Sequence, residues 1–560
     1  MAVVARPRGV VREQTLDRFA TEKRLAGLHI LVGFIALSIG LLMGLFQVLE
    51  YNGVDFYTAV KPVLPGGYYQ GLSLHGVLNV LVFTTFYIIG FLTLITAKAF
   101  DKPLVSKTMA WFTFWLMLFG LIMTAVPLLM NRATVLFTFY PPLKADGFYY
   151  LGLTIIVVST YFLLINQSLT YLAWRKENPG VKMPLTAFMS IVTMTMWVVA
   201  TVGIASEMIF LLLPWSFGLV PGTDVILART LFWFTGHPIV YFWLLPAYIS
   251  WYGMIPRQAG GKLFSEPMAR VSFVLFLVLS APIGIHHQFT DPGISEIWKF
   301  VHFIFTVGVF FPSLLTFFNV IASLEYAGRR RGGKGWLTWI FALPWNEATF
   351  TTQVFAMILF AFGGVSGLVN ASYNLNLVVH NTAWISGHFH LTVGSAVALT
   401  FMGICYWLVP YLSGKKLFSN PLALAQAWSW LLGMAVFSHA MHQLGLLGMP
   451  RRTMIGAALY VLPEWRLLLP LVLIGGLTMF VSALLFFTNM LLTLSVGKPA
   501  PQQEIPFAKA ISGPEDVPAV LDRFWPWVTA AVILVTINYG PTLYFLVTTA
   551  RFNIPGLRPW

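Results

Sequence analysis

The sequence predicts an all-α membrane protein, a bundle of about thirteen transmembrane helices. Three observations predict it. Of 560 residues, 58% are hydrophobic and only 10% are charged, where a soluble domain carries about 25% charged residues. Mean hydropathy is +0.77, and the apolar residues fall in runs near the roughly 20 residues that cross a bilayer as helix. The net charge of +14 is spread over the short loops between those runs, which marks topology and excludes a nucleic-acid partner. The single cysteine, Cys405, sits inside an apolar run and rules out both an intrachain disulfide and a Cys-pair metal site.

Taken in order, the apolar runs lie near 25–48, 70–97, 108–130, 148–173, 184–214, 226–254, 269–289, 298–326, 350–372, 378–410, 423–447, 467–495 and 525–550. Turn signals separate them, among them Pro65-Gly66-Gly67, Asn178-Pro179-Gly180, Gly260-Gly261 and Gly332-Gly333. Four stretches follow: a tail over 1–24, a bundle of about twelve spans over 25–495, a loop over 496–524, and a further helix with a short tail over 525–560. The Arg-rich tail, with Arg6, Arg8 and Arg12, lacks an apolar signal core and reads as a cytoplasmic tail, with an Arg-rich targeting peptide as the alternative. The tail and the loops after even-numbered spans hold 24 of the 34 Lys and Arg residues. By the positive-inside rule the N-terminus is cytoplasmic and, with an odd number of spans, the C-terminus is outside. The opposite side then carries His380, Asp291, Arg451 and Arg452.

Histidines inside apolar runs carry the chemical signal, because a buried imidazole is costly unless it is paired or ligates a metal. The stretch from His380 to His390 holds three of the eleven. Helical positions two apart point about 200° from each other, so His388 and His390 face opposite sides of one helix. The second span contributes Gly71-Leu72-Ser73-Leu74-His75-Gly76, where small neighbours suit either helix packing or the close approach of a flat macrocycle. The sixth contributes Gly236-His237-Pro238-Ile239-Val240-Tyr241, which puts an imidazole and a phenol four apart on one face. The seventh ends in Pro282-Ile283-Gly284-Ile285-His286-His287. Adjacent buried imidazoles repel when protonated and are best explained as neutral ligands of one cation. His237, His286 and His287 with an open position suit copper, with zinc and iron as alternatives.

A lone histidine, then His-Pro-x-x-Tyr, then a His-His doublet, then His-x-His on a later span resembles subunit I of the haem-copper oxygen reductases over about residues 25–495. The resemblance implies that His75 and His390 are the axial ligands of a low-spin haem of the b type. It makes His388 the proximal ligand of a high-spin haem, of the a type or a variant. His237, His286 and His287 would bind the copper called CuB, and Tyr241 would be joined covalently to the His237 ring. The implied reaction is four-electron reduction of dioxygen to water with coupled proton translocation, in the cell membrane.

The branch is also legible. A glutamate two residues after the His-Pro histidine is an A-family feature, and here that position is Ile239. An A-family lysine on the eighth span has no counterpart between Val301 and Ala322. The chain is similar instead to the B-family, or ba-type, oxidases, with one hydroxyl-lined proton path for which Tyr248, Tyr252, Ser313 and Thr316 are the candidates. Arg451 and Arg452 suit carboxylates, by resemblance the haem propionates, with His380 reaching the same region; lipid headgroups are the competing partner. Asn376 stands where B-family relatives have an aspartate. One cysteine cannot build the dinuclear CuA site, so the implied partners are a CuA-bearing subunit II fed by cytochrome c or a similar carrier, and a small helical subunit. Glu207 is a further proton-path candidate, while His29 and His302, near span ends, are expected at the interface. Two alternatives stand beside this: a nitric oxide reductase, which would have iron in place of copper and lack the tyrosine, and a proton-coupled secondary transporter with relay histidines.

Overall fold

The computed structural model describes residues 17–500 and 503–560. The part of the expected tail that contains Arg6, Arg8 and Arg12 lies outside the described residues. Among those described, twelve helices are long and apolar enough to cross a membrane. They are α1 (Ala20–Tyr51), α2 (Gly67–Ala99), α3 (Lys107–Leu129), α4 (Gly147–Glu177), α5 (Leu185–Ser216), α6 (Val225–Gly253), α8 (Glu296–Arg330), α9 (Ala348–Ala371), α10 (Ala383–Ser413), α11 (Asn420–Leu446), α12 (Pro463–Val496) and α13 (Trp525–Thr549). Several begin with a side-chain cap on an otherwise orphan N–H: Ser106 accepts from Met109, Asp224 from Leu227 and Ser419 from Leu422.

The seventh expected span, α7, differs. It is helical only over Glu266–Leu279, 14 residues, and continues as a turn into a 3-10 segment at Gly284–Gln288. Pro282 cannot donate to a helix ladder. Gly284 is required by close approach, since a Cβ there would sit 2.0 Å from the Trp233 carbonyl oxygen of α6. The break turns the His286-His287 pair in against α6.

Two helices form the centre. The most apolar windows of α2 and α10 are 94% and 89% buried, against 28% for α12 and α13. The outer helices present Phe311, Phe318 or Ile304 of α8 to the surroundings, as lipid-facing helices do once their backbone groups are satisfied internally. Both central helices carry a π-helical turn, Val77–Phe83 in α2 and His390–Val397 in α10. Such bulges shift the register of a helix face and gather at functional sites. One follows His75 by two residues and the other opens on His390.

The two ends of the described residues, at Asp17 and Trp560, lie on opposite sides of the bundle. Arg18 pairs with Asp101 in the loop after α2, whereas the C-terminal tail pairs with loops at the other end, through Thr223 with Ile554 and Lys144 N–H to the Leu557 carbonyl. The segment after α12 runs as a strap across the N-terminal side. Its strand β2 (Ala510–Ser512) pairs in parallel with β1 (Leu263–Ser265), and Ala508 N–H donates to the Gly253 carbonyl at 2.6 Å. Arg270 of α7 is fully buried and fastens the strap, holding Glu266 at 2.8 Å and Asp522 at 2.9 Å while also donating to the Met183 carbonyl.

Removing one member of a buried ionic cluster leaves the others uncompensated, at a cost of about 3–5 kcal/mol. Arg270→Met is therefore expected to lower the temperature at which the purified protein loses its native absorption spectrum. An unchanged thermal transition would show that the strap is not held by this cluster.

Candidate functional site

All six histidines of the pattern line one cavity of about 660 Å³ inside the bundle. At one end, ligand-type nitrogens of His237, His286 and His287 lie within 4.8 Å of one another. The rings are oriented by partners outside the group. Thr306 of α8 holds His286 Nδ1 at 2.8 Å, and Tyr241 Oη holds His237 Nε2 at 3.0 Å. His237 Nδ1 is thereby turned to His287 Nε2, 3.0 Å away. Trp233, one turn before His237, lies flat on His287 with ring centroids 3.7 Å apart and planes within 10°. Three imidazoles grouped in this way could hold a metal ion, and the donor chemistry suits copper.

The other three histidines share one pattern. His388 Nδ1 faces the Gly363 carbonyl at 3.0 Å and Ser366 Oγ at 3.1 Å. His75 Nδ1 donates to the Gly40 carbonyl at 2.8 Å, and His390 Nδ1 to the Ser386 carbonyl at 2.8 Å. Each ring thus spends Nδ1–H on a backbone carbonyl and keeps the Nε2 lone pair for a ligand. His75 and His390 face each other with centroids 6.1 Å apart and planes 19° apart. Two imidazole–metal bonds of about 2.0 Å, with roughly 1.1 Å from each ring nitrogen to its ring centre, give about 6.2 Å. The pair has the separation that one iron between them requires.

The glycines that allow this approach are not those flanking His75 in the sequence. A Cβ on Gly71 would meet the Tyr57 hydroxyl at 2.5 Å, and one on Gly76 would meet Phe137 at 3.0 Å, so both serve helix packing. The glycines beside the rings are Gly44 of α1 and Gly367 of α9, where an added Cβ would lie 2.8 Å from His75 and from His388. Spacing within one helix gives no sign of glycines contributed by another.

Above the cavity, residues 381–383 and 449–451 pair through their backbones. Asn381 and Arg452 take left-handed φ values of 56° and 62°, an uncommon state for non-glycine residues that clusters at functional sites. Arg451 donates to Asn381 Oδ1 at 2.9 Å, and Arg452 donates to Thr138 at 3.2 Å over the Phe137 ring. One Arg452 terminal nitrogen is buried with no partner. Burial, and then the adjacent Arg452 guanidinium, lower the Arg451 pKa. Two guanidiniums at the cavity rim, one with a buried nitrogen lacking an acceptor, suit a carboxylate ligand. His380 is held by Asn376 Oδ1 at 3.0 Å; burial, and then Arg451, lower its pKa to about 4, so it is neutral at pH 7. Beside them the Arg229–Asp291 pair at 2.6 Å, with Arg229 over the Tyr140 ring, completes an outer polar cluster that the sequence pattern did not single out.

The four hydroxyl candidates stand in two couples. Tyr248 donates to Ser313 at 3.2 Å, and Tyr252 donates to Thr316 at 2.8 Å. Tyr252 also reaches Ser272 at 3.2 Å. They run from Tyr241 toward the side of the strap.

His29 and His302 are fully buried, which corrects their expected interfacial place. His29 is enclosed by Phe86 and Phe114. His302 braces the site: its Nδ1 accepts from Ile285 N–H, its Nε2 faces the Asn538 carbonyl at 3.3 Å, and Asn538 Nδ2 donates to the Pro282 carbonyl at 3.0 Å. The helix α13 thus supports the turn that carries His286 and His287. Glu207 is buried with both carboxyl oxygens unpartnered and is outside the cavity lining.

A sequence profile of the family described as "Cytochrome C and Quinol oxidase polypeptide I" matches residues 24–478. The chain is 46% identical to cytochrome c oxidase subunit 1 of Thermus thermophilus over 550 residues, covering 96% of this chain and 97% of that one. It is 28% identical over 490 residues to cytochrome c oxidase polypeptide 1 of Halobacterium salinarum, 81% and 77% of the two chains. Among solved structures, a haem-copper terminal oxidase dimer seen by cryo-electron microscopy superposes with a TM-score of 0.89 at 38% identity, over 93% of this chain and 92% of that one. A helical bundle with this histidine geometry, matched over nearly its whole length, belongs to the cytochrome c and quinol oxidase polypeptide I family, the haem-copper oxidases.

Proposed function

We propose that this chain is the catalytic subunit of a terminal respiratory oxidase that reduces dioxygen to water. The observation that carries the reading is Tyr241 Oη, 3.0 Å from a ring whose other nitrogen faces the His286-His287 pair. A phenol in that place can deliver one proton and one electron to the metal pocket. A nitric oxide reductase would not need it.

The roles assigned to the six histidines rest on the fit described above. His75 and His390 would hold a low-spin haem of the b type, His388 a high-spin haem of the a type or a variant, and His237, His286 and His287 the copper. Those groups, when bound, would supply the one-electron redox chemistry that dioxygen reduction needs. The chain does the rest. Arg451 and Arg452 would bind the propionate carboxylates. Tyr252, Thr316, Tyr248 and Ser313 hand protons toward Tyr241 without placing a charge in the bilayer. The covalent bond implied between Tyr241 and the His237 ring would lock the phenol to its imidazole. The apolar walls keep other water away from the reacting atoms.

The Lys and Arg distribution supports a cytoplasmic strap side and an external Arg451/Arg452 side. Protons for water formation then come from the cytoplasm, and their vectorial uptake stores energy across the membrane. Residues 25–495 form the catalytic unit, 496–524 the cytoplasmic strap, and 525–560 the added helix with its outer tail. With Cys405 alone in the sequence, electrons must enter from a subunit II bearing CuA, fed by cytochrome c or a similar donor, with a small helical subunit alongside. The secondary-transporter reading has no use for a facing imidazole pair 6.1 Å apart.

The first test is spectroscopic. Purified protein should give two haems per chain, one of them binding CO on reduction, and one copper beyond those of any partner subunit. Iron in place of that copper would favour nitric oxide reduction, and a colourless protein would overturn the assignment. His237→Ala is expected to abolish turnover and this copper while leaving the low-spin spectrum; oxygen reduction retained in this variant would refute the metal site. Tyr248→Phe removes one hydroxyl of the ladder and is expected to slow turnover on the order of 10²-fold, within the range of positioned proton-transfer groups. Unchanged turnover would show that protons take another route.

A further inference from the structure

One buried titratable group has no part in the reading so far. Glu50 lies in the last turn of α1, on the side of Arg451 and Arg452, and is 2% exposed. Its Oε1 accepts the Gly456 N–H at 2.8 Å, while its Oε2 is buried with no partner. Two further polar atoms nearby are in the same condition, Gln47 Nε2 on the preceding turn and the Tyr57 hydroxyl. The Tyr57 hydroxyl is acted on by the Gln47 amide and by the Glu50 carboxyl, and Tyr51 and Tyr68 pair their hydroxyls beside it at 3.4 Å. Buried polar atoms without a protein partner are usually served by ordered water. Three such atoms form one small polar cluster enclosed by the outer ends of α1 and α2.

The cluster adjoins the cavity lined by the six histidines. Gly44, Gln47 and Tyr51 follow i, i+3, i+7 spacing on one face of α1, Gly44 touches His75, and all three line the cavity. Glu50 is six residues beyond Gly44, about 9 Å along the helix axis. At that distance in a poorly screened interior, a change of one charge at the cavity is felt strongly at a carboxyl. The other ionisable groups facing it are Asp55 and Tyr57 from the loop after α1, Tyr51 on its own helix and Tyr68 of α2. From the loop at 455–456 only backbone reaches it.

We propose that Glu50 is a redox-linked proton-binding site on the outer side of the low-spin haem. The proposal rests on the assignment of His75 and His390 to that haem. When one electron arrives from the donor subunit, Glu50 takes one proton from the outer aqueous phase through the Tyr57 and Gln47 cluster. When the electron passes on, the proton returns to that phase. The carboxyl so offsets the charge that each electron brings into the bundle.

The test is a redox titration of the low-spin absorption band at several pH values in the purified complex, with reduced-minus-oxidised infrared difference spectra in H₂O and D₂O. In the parent protein the midpoint potential is expected to fall with rising pH, and a carboxylic-acid C=O band that shifts in D₂O should appear on reduction. Glu50→Gln keeps an oxygen for the Gly456 N–H, so the tie between α1 and the outer loop survives. It is expected to lose the band and most of the pH dependence. Tyr57→Phe removes one neighbouring hydroxyl and should move the band without abolishing it. The parental band and slope in Glu50→Gln, or an unmoved band in Tyr57→Phe, would overturn the proposal. A parent protein lacking any low-spin band would overturn it together with the haem assignment.

Discussion

The interaction on which the site depends is the hydrogen bond from a histidine Nδ1 to an acceptor within the bundle. A neutral imidazole has one donor and one acceptor nitrogen, and in an apolar interior both must be used. His75, His388 and His390 each place Nδ1 on a backbone carbonyl, of Gly40, Gly363 and Ser386. His286 places it on Thr306. The tautomer is fixed in advance, and the remaining Nε2 lone pair points into the cavity. His237 is the exception, since Tyr241 occupies Nε2 and turns Nδ1 to the metal pocket. The one ring held by a phenol is the one that presents its other nitrogen.

A carbonyl inside a helix is normally committed to its own ladder, so it can accept from a neighbouring imidazole only as a second bond or where the ladder is disturbed. Gly40 and Gly363 lie in regular helix and accept as a second bond, whereas Ser386 lies just before the π turn that opens at His390. α2 and α10 carry π turns next to His75 and at His390, α6 is interrupted at His237-Pro238, and α7 stops before His286. Regular helix can thus aim a ring from a neighbour, as for His75 and His388, while His237 and the His286-His287 pair stand where helices break. The departures from ideal helix set the directions of these last three rings, while the long regular stretches carry the bundle across the bilayer.

This division explains what was legible in the sequence. Helix number and order follow from hydropathy, which depends on local composition alone, and the six histidines with Tyr241 stand out because imidazoles are rare in apolar runs. The seventh span reads as a full crossing because hydropathy does not register that Gly284 must pass against the Trp233 carbonyl. Gly44, Gly367, Thr306, Ser366 and Arg229 were silent for a common reason. Each acts through a partner on another helix, and nothing in its own neighbourhood departs from ordinary membrane sequence. His29 and His302 misled in the opposite sense: being near the ends of spans, they looked interfacial, yet α3 and α13 fold over them. His302 shows why the last helix is more than an appendage, since Asn538 reaches back to the turn that holds two of the three clustered histidines.

The two ends of the cavity are built from different chemistry, and that asymmetry bears on direction. Toward the strap the groups are neutral hydroxyls, Tyr248 with Ser313 and Tyr252 with Thr316, which relay a proton but do not store one. At the opposite end lie ionisable groups: Arg229, Asp291, Arg451, Arg452, His380 and Glu50. A proton handed along hydroxyls has no resting place until it meets a group whose charge can change. Asn376, as an amide, cannot be such a group, and it holds His380 with a carbonyl oxygen rather than a carboxylate. Among the carboxyls at that end, Asp291 is bound to Arg229 at 2.6 Å, while buried Glu50, beside Asp55 of the following loop, has one oxygen unpartnered. Asp291 is thus already paired with a guanidinium. Glu50 faces no such cation, which leaves it the freer of the two to exchange protons as electrons pass.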